Sequence, residues 1–343
     1  MENKETVLVT GGTGFIASYC IIRLLNAGYK VKASVRSLKS TDELQAMLKQ
    51  GGIASFDNLM VVEANLNNES SWDAAVSGCS YVIHTASPTP NTDAKTDDDF
   101  VIPARNGVLF VMRAAQKAGV KRFVLTSAFG AVGYGTSKTT PYTEEDWTEI
   151  NEIVAPYQKS KTLSEKAAWE FISTEGKGLE LAVINPTGVY GPVLSGNFSH
   201  SIQPVFQMLN GAVKACPKIT SGYVDVRDVA ELHFLAMTSP AANSQRFIAV
   251  AGQAVSLLDI AKILRKNLGE KAAKVPTKEI PSCLVKIGAL FNPKLALVLP
   301  YLGSIKEASN EKAKRLLGWK PRSTEEAIVA TANSLIHLNL IKK

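Results

Sequence analysis

The chain has 343 residues, of which 45% are hydrophobic and 20% charged, with a formal net charge of +7. That composition excludes a disordered, collagen-like or disulfide-stapled protein and leaves room for a large core with a second, smaller lobe. The lysines are dispersed and no basic run is interleaved with aromatics, so nucleic acid is not an expected partner, and the positive excess reads as a solvated surface able to steer an anionic cofactor.

Cys20, Cys79, Cys216 and Cys283 show no C-x-x-C pairing, as expected of free thiols in a reducing compartment. His84, His200, His233 and His337 match none of the spacings that bind zinc, so no metal is expected. The first residues run into an apolar strand without a signal region, and no apolar run approaches membrane-spanning length. A cytoplasmic protein without a membrane partner is the expectation.

The first apolar run, Val7 to Val9, suits a buried parallel strand; it stops at a glycine turn and restarts at Phe15 with helical spacing up to Gly28. Gly11 can take the dihedrals of a sharp turn, and Gly14 lets backbone N–H groups approach a pyrophosphate at the positive end of the helix. Thr13, Phe15 and Ile16 complete the cradle, and Ala17 permits close packing of helix on strand. A strand at 31–35 closes the strand–helix–strand unit that this fingerprint requires. It ends on Arg36, with Lys39 close behind and no carboxylate before Asp42. An acid there would grip the ribose hydroxyls of NAD, whereas an arginine can pair bidentately with the 2′-phosphate of NADPH.

Strand and helix then alternate: a helix at 41–49, a strand at 59–62, a short helix at 72–76 and a strand at 81–86. The turn Thr85 to Pro88 follows the fourth strand, on the side where doubly wound sheets bind ligands. A polar surface loop is expected at 91–99, with Pro103 starting a helix that Gly119 stops. The fifth strand, 122–127, leads into a long irregular stretch to Pro156 whose Phe129, Tyr134, Tyr142 and Trp147 argue against disorder and for substrate contact. A helix at 157–175 and a strand at 179–184 follow; the segment 185–192, rich in Pro and Gly, reads as neither helix nor strand. The region 193–222 is loop-rich, the alternation resumes at 223–226 with Asp228 as an N-cap, and 256–268 is an amphipathic helix. The expected class is α/β, a doubly wound (Rossmann) parallel sheet with a smaller C-terminal substrate lobe. Residues 1–185 with 223–252 would form the nucleotide domain, and 186–222 with 253–343 the lobe.

Tyrosine followed four residues later by lysine occurs twice, at Tyr134/Lys138 and at Tyr157/Lys161. Residues four apart share a face only in a helix, and Gly, Thr and Ser disfavour one around the first pair. Pro156 favours a helix start just before the second. A phenol with a pKa near 10 is a sluggish proton relay at neutral pH, and the Lys161 ammonium, the positive helix end and a nearby nicotinamide cation are each expected to lower it. Tyr157 would then act as acid in reduction and base in oxidation.

Taken together, Thr10-Gly-Gly-Thr-Gly-Phe-Ile16, Ser34-Val-Arg36, Leu125-Thr-Ser127, Tyr157 to Lys161, Pro186-Thr187, Tyr223-Val-Asp-Val-Arg-Asp-Val229 and Leu317-Gly-Trp-Lys-Pro321 resemble the extended short-chain dehydrogenase/reductase superfamily over nearly the full length. The closest resemblance within it is to dihydroflavonol-reductase-like and cinnamoyl-CoA-reductase-like carbonyl (aldehyde) reductases. The resemblance implies hydride transfer from the nicotinamide C4 of NADPH, Tyr157 as proton donor, and Lys161 on the nicotinamide ribose. It further implies Pro186, Thr187 and Val189 beside the nicotinamide, Thr85 and Ala86 near a ribose, and Asn65-Leu66 at the adenine, where relatives carry Asp-Leu.

The resemblance also implies a serine after the fifth strand that polarises the substrate carbonyl, but the position that carries it in the similar reductases is Ala128 here. Ser127 is expected to take the role, with Thr126 as the alternative. The expected partner is a small-molecule carbonyl compound, bound among loops 87–100, 129–156 and 193–222 by a monomer or homodimer. Two other readings stay open: a sugar-nucleotide epimerase or dehydratase that retains NAD, and an NADPH-binding sensor without turnover.

Overall fold

A computed structural model of the chain describes residues 5–88, 96–291 and 298–342. Its centre is a seven-stranded, all-parallel sheet. The first half contributes β1 (Thr6–Thr10), β2 (Lys30–Val35), β3 (Leu59–Glu63), β4 (Tyr81–His84), β5 (Arg122–Thr126) and β6 (Glu180–Pro186). The helices between them are α1 (Phe15–Asn26), α2 (Thr41–Gln50), α3 (Ser71–Val76), α4 (Asp98–Lys117) and α5 (Pro156–Thr174). Beyond β6 come β7 (Gly188–Tyr190), α6 (Gln203–Leu209), the two-residue strands β8 (Cys216–Pro217) and β9 (Thr220–Ser221), β10 (Tyr223–Asp225), α7 (Val226–Thr238) and β11 (Gln245–Ala249). The sheet order is β11-β6-β5-β4-β1-β2-β3, so the order reverses between β1 and β4, and a ligand crevice opens beyond the carboxyl ends of those two strands.

Alternation along each strand divides the core between the two faces of the sheet. Val7 and Val9 pack with α1, α2 and α7, while Leu8 packs on the opposite face with α3, α4 and α5. A third cluster joins Tyr190, Val205, Met208, Ile260, Leu264, Ile328 and Leu335. Trp319 is 1% exposed and donates its indole N–H to the Asp228 carbonyl at 2.9 Å, which ties the C-terminal segment to α7. All four cysteines are free, and no helix among the described residues is long and apolar enough to cross a membrane.

Several local expectations are corrected. Pro103 lies inside α4 instead of starting it, because Asp98 to Ile102 already form a helical turn ahead of the proline, which itself lacks an N–H to donate. Asp98 and Asp99 therefore belong to the helix, and positions 91–95 of the expected loop lie outside the described residues. The segment 185–192 does carry strand. Asn185 and Pro186 continue β6 opposite Ile248 and Ala249, and β7 pairs in parallel with β10. The cap of α7 is Asp225, whose carboxylate accepts the Arg227 N–H at 2.9 Å, whereas Asp228 is within the helix and pairs with Arg322. The loop-rich stretch after 193 contains α6, and the fourth strand stops at His84, two residues early.

Candidate active site

At the end of β1 the chain turns through Gly11, at φ 70°, where an added Cβ would lie 3.2 Å from the Cα and Cβ of Ala86. Only glycine allows that approach of the first turn to the segment after β4. The turn is fixed by Gly12 N–H to the Ser34 carbonyl at 2.7 Å and by Gly14 N–H to the Gly11 carbonyl at 2.8 Å. Gly14 caps α1 without any side-chain hydrogen bond, which leaves the first N–H groups of the helix to an anionic ligand. Thr10 latches the two halves of the crevice together. Its Oγ1 accepts Thr85 N–H at 3.1 Å and Ala86 N–H at 3.0 Å, and its carbonyl accepts the Thr85 hydroxyl at 2.6 Å.

Arg36 follows directly on β2, is exposed, and makes no ion pair or hydrogen bond within the described residues; the Lys39 side chain is exposed as well. Two cations thus stand where a phosphate on a ribose could meet them. Asn65 uses its side-chain oxygen on the Asn67 N–H at 3.0 Å, so the amide caps its own turn. Leu66 packs on Gly107 and reaches inward to a cavity shared with Ala86, Ser127 and Lys161. Thr187 donates both its N–H and its hydroxyl to the Ala249 carbonyl at 3.1 Å, beside the buried Pro186 and Val189.

Pro156 opens α5, so Tyr157, Lys161 and Glu165 recur along one side of the helix. Lys161 and Glu165 line the cavity with Ser127, while Tyr157, a turn earlier, is not part of its wall. Burial pushes the Lys161 ammonium down to about 8, against the raising influence of Glu165. Although 48% of its surface is exposed, Tyr157 is pushed up to about 12 by the protein enclosing its phenol, with Tyr301 adding to the rise. Burial thus raises the phenol where a lowering was expected.

The two candidate hydroxyls after β5 have different fates. His233 Nδ1 lies 2.8 Å from the Val229 carbonyl, so it must carry the proton, and Nε2 is left as an acceptor. Thr126 Oγ1, 2.7 Å from that Nε2, donates to it and points its hydrogen at α7. The Ser127 hydroxyl is buried without a partner among the described residues, and it faces the cavity that holds Lys161.

The other tyrosine–lysine pair is split. Lys138 binds Asp146 at 2.8 Å, while the Tyr134 ring packs edge-on against Tyr301 at 6.3 Å. Burial raises the Tyr134 phenol, and Tyr301 and then Tyr157 raise it further, so Tyr134 is a neighbour of Tyr157 and not a remote control for it. The sequence reading also missed Glu165. Its carboxylate is fully buried, bound to Arg246 at 2.6 Å and to the Asn185 amide at 2.7 Å, and Asn185 in turn reaches the Ala128 carbonyl at 3.2 Å. Its position four residues after Lys161 was the available signal.

The family model described as the NAD dependent epimerase/dehydratase family matches residues 7–252, a span that contains the glycine turn, Arg36, Ser127, Tyr157 and Lys161. The chain belongs to this family. The family's span takes in the seven strands of the sheet except Thr6, the first residue of β1. A cinnamoyl-CoA reductase of Medicago truncatula, CAD2, is 32% identical over 338 residues, covering 96% of this chain and 95% of the relative. A dihydroflavonol 4-reductase of Arabidopsis thaliana is 34% identical over 290 residues, 82% of this chain and 72% of the relative. Among solved structures, the yeast methylglyoxal/isovaleraldehyde reductase Gre2 complexed with NADPH superposes with a TM-score of 0.80 at 28% identity, over 97% of this chain and 99% of that one.

Proposed function

We propose that this chain reduces an aldehyde or ketone to the alcohol with NADPH, Tyr157 giving the proton. The observation that carries the reading is the meeting of the Ser127 hydroxyl and Lys161 in one cavity, at the crevice formed by the glycine turn and the segment after β4. NADPH, when bound, supplies the hydride. Gly11 and Gly14 admit its pyrophosphate, Arg36 and Lys39 hold its 2′-phosphate, and Lys161 orients its nicotinamide ribose. Ser127 donates to the carbonyl oxygen, and Tyr157 transfers its phenolic proton to that oxygen as negative charge develops there. A phenol held neutral by its surroundings is in the correct state for that donation. The NADPH-bound Gre2 neighbour and the reductase relatives support this reading, and unpaired Arg36 weighs against an NAD-retaining epimerase.

The same reading assigns the nucleotide to residues 1–185 with 223–252, the carbonyl compound to a smaller lobe of 186–222 with 253–343, and the work to the cytoplasm; free thiols fit a reducing compartment. Purified protein supplied with NADPH or NADH and a panel of aldehydes and ketones tests it. Oxidation of NADPH in preference to NADH is the expected result. Tight NADPH binding without oxidation would favour a sensor, and copurification with NAD would favour the epimerase reading.

A further inference from the structure

His84 ends β4 at 1% exposure, and its two ring nitrogens meet different surroundings. Nδ1 lies 3.0 Å from Thr10 Oγ1. That oxygen already accepts two backbone N–H groups, from Thr85 and Ala86. A hydroxyl has two lone pairs and one hydrogen, so Thr10 must donate to Nδ1, and the neutral ring carries its own proton on Nε2. Burial, with the nearby Lys161 charge, pushes His84 down to about 3, which keeps the ring neutral near pH 7. The latch of the glycine turn thereby fixes the histidine tautomer.

The Nε2–H group is buried without a partner among the described residues, and so are the hydroxyls of Ser127 and Ser164. His84, Ser127 and Ser164 all line the cavity that Lys161 and Glu165 share, and the space open to the centre of a water-sized sphere there is about 10 Å³. That is about the room one water molecule needs, and buried polar groups in native proteins are satisfied by protein or by ordered water. We propose that the cavity binds one internal water molecule, which accepts from His84 Nε2 and bonds the hydroxyls of Ser127 and Ser164 beside Lys161. Water offers two hydrogens and two lone pairs, enough for these partners. By donating to Ser127 Oγ it leaves the serine's own hydrogen free for the carbonyl oxygen, and His84 is then a positioning residue acting through the water. This last step rests on the proposed function; the water and the tautomer do not.

Three measurements test it. Long-range proton–nitrogen spectra of the whole chain should show His84 protonated at Nε2 and bare at Nδ1 from pH 5 to 9, and the reverse tautomer would overturn the proposal. A high-resolution crystal structure, with and without NADPH, should place one ordered water within hydrogen-bond distance of Nε2 in both states. A dry cavity, a protein group on Nε2, or a nicotinamide ribose hydroxyl taking the water's place would each contradict it. Ser164→Ala removes one water partner from the helix face and should lower kcat about fivefold while leaving KM for NADPH unchanged. An unchanged kcat, or an equal change in KM, would refute the positioning role. If Ser127→Ala proves silent while the water and tautomer are found, the function assigned to Ser127 fails and the water site stands.

Discussion

Lys161 and Glu165 stand one turn apart on α5 and share one cavity wall, and the carboxylate is in turn gripped by Arg246 from β11 at 2.6 Å. Glu165 thereby ties that wall to the sheet edge, and through Asn185 to the backbone that follows Ser127. Burial lowers the Lys161 pKa to about 8 and Glu165 opposes that fall, so kcat should decline as pH rises through about 8 and the ammonium is lost. Glu165→Gln removes the raising influence, and the alkaline limb should move to lower pH. The same change leaves Arg246 buried without its anion, which should destabilise the fold by about 3 kcal/mol in chemical denaturation. A pH profile that does not move would detach Lys161 from the rate.

Arg36→Ala should weaken NADPH by a factor of roughly ten to a hundred, the loss of one charge-assisted contact of about 1.5–3 kcal/mol, and scarcely affect NADH. Titration of both cofactors checks this. Equal weakening would place the 2′-phosphate elsewhere.

Much of this arrangement was legible in local sequence because apolar runs and glycine turns report their own surroundings. Val7 to Val9, the Gly11 turn and the α5 start at Pro156 all lie where the pattern put them. β11 was not legible. Its Gln245-Arg246 opening reads as surface, and only partners distant in sequence explain how an arginine is 7% exposed in a strand: the Glu165 carboxylate, the Glu144 and Asp146 carbonyls and the Trp147 ring. The same holds for the Thr10–His84 latch and for the approach of Tyr134 to Tyr157, which depend on partners that no window of residues contains. Pro103 and Pro186 misled for a different reason: each sits where the chain spares a single backbone donor, inside a long helix and at a strand end.

Acid should destabilise the protein through two buried rings. His84 and His233 are held by burial at about 3 and about 4, against 6.5 when unfolded. Between those values the unfolded chain binds more protons, so the contribution of each is intact above about pH 6.5 and is lost as pH falls. The slope approaches ~1.4 kcal/mol per pH unit for each histidine. Melting temperature measured from pH 7 to 4.5 should fall accordingly, and His233→Gln should remove part of that slope. A slope unchanged by that substitution would assign acid sensitivity to other groups.

Ser127→Ala should reduce turnover about a hundredfold, as loss of a hydroxyl aimed at a developing oxyanion does, with NADPH affinity nearly unchanged. Thr126→Val breaks the bond to His233 and should act chiefly on stability, by about 1 kcal/mol. Steady-state kinetics beside thermal denaturation of the two variants separates these roles. If the Thr126 variant loses turnover and the Ser127 variant keeps it, the polarising hydroxyl is Thr126.

Tyr134→Phe is not a neutral comparison for Tyr157→Phe, since Tyr157 lies close enough to raise the Tyr134 phenol; Lys138→Ala, whose partner is Asp146, is the remote control. The most direct test of the account is NADPH oxidation by an aldehyde panel, followed for the native chain and for Tyr157→Phe with NADPH binding measured in parallel. The account predicts turnover in the native protein and a loss of most of it in Tyr157→Phe at nearly unchanged NADPH affinity. Near-native turnover in Tyr157→Phe, or tight binding without oxidation in the native chain, would contradict it.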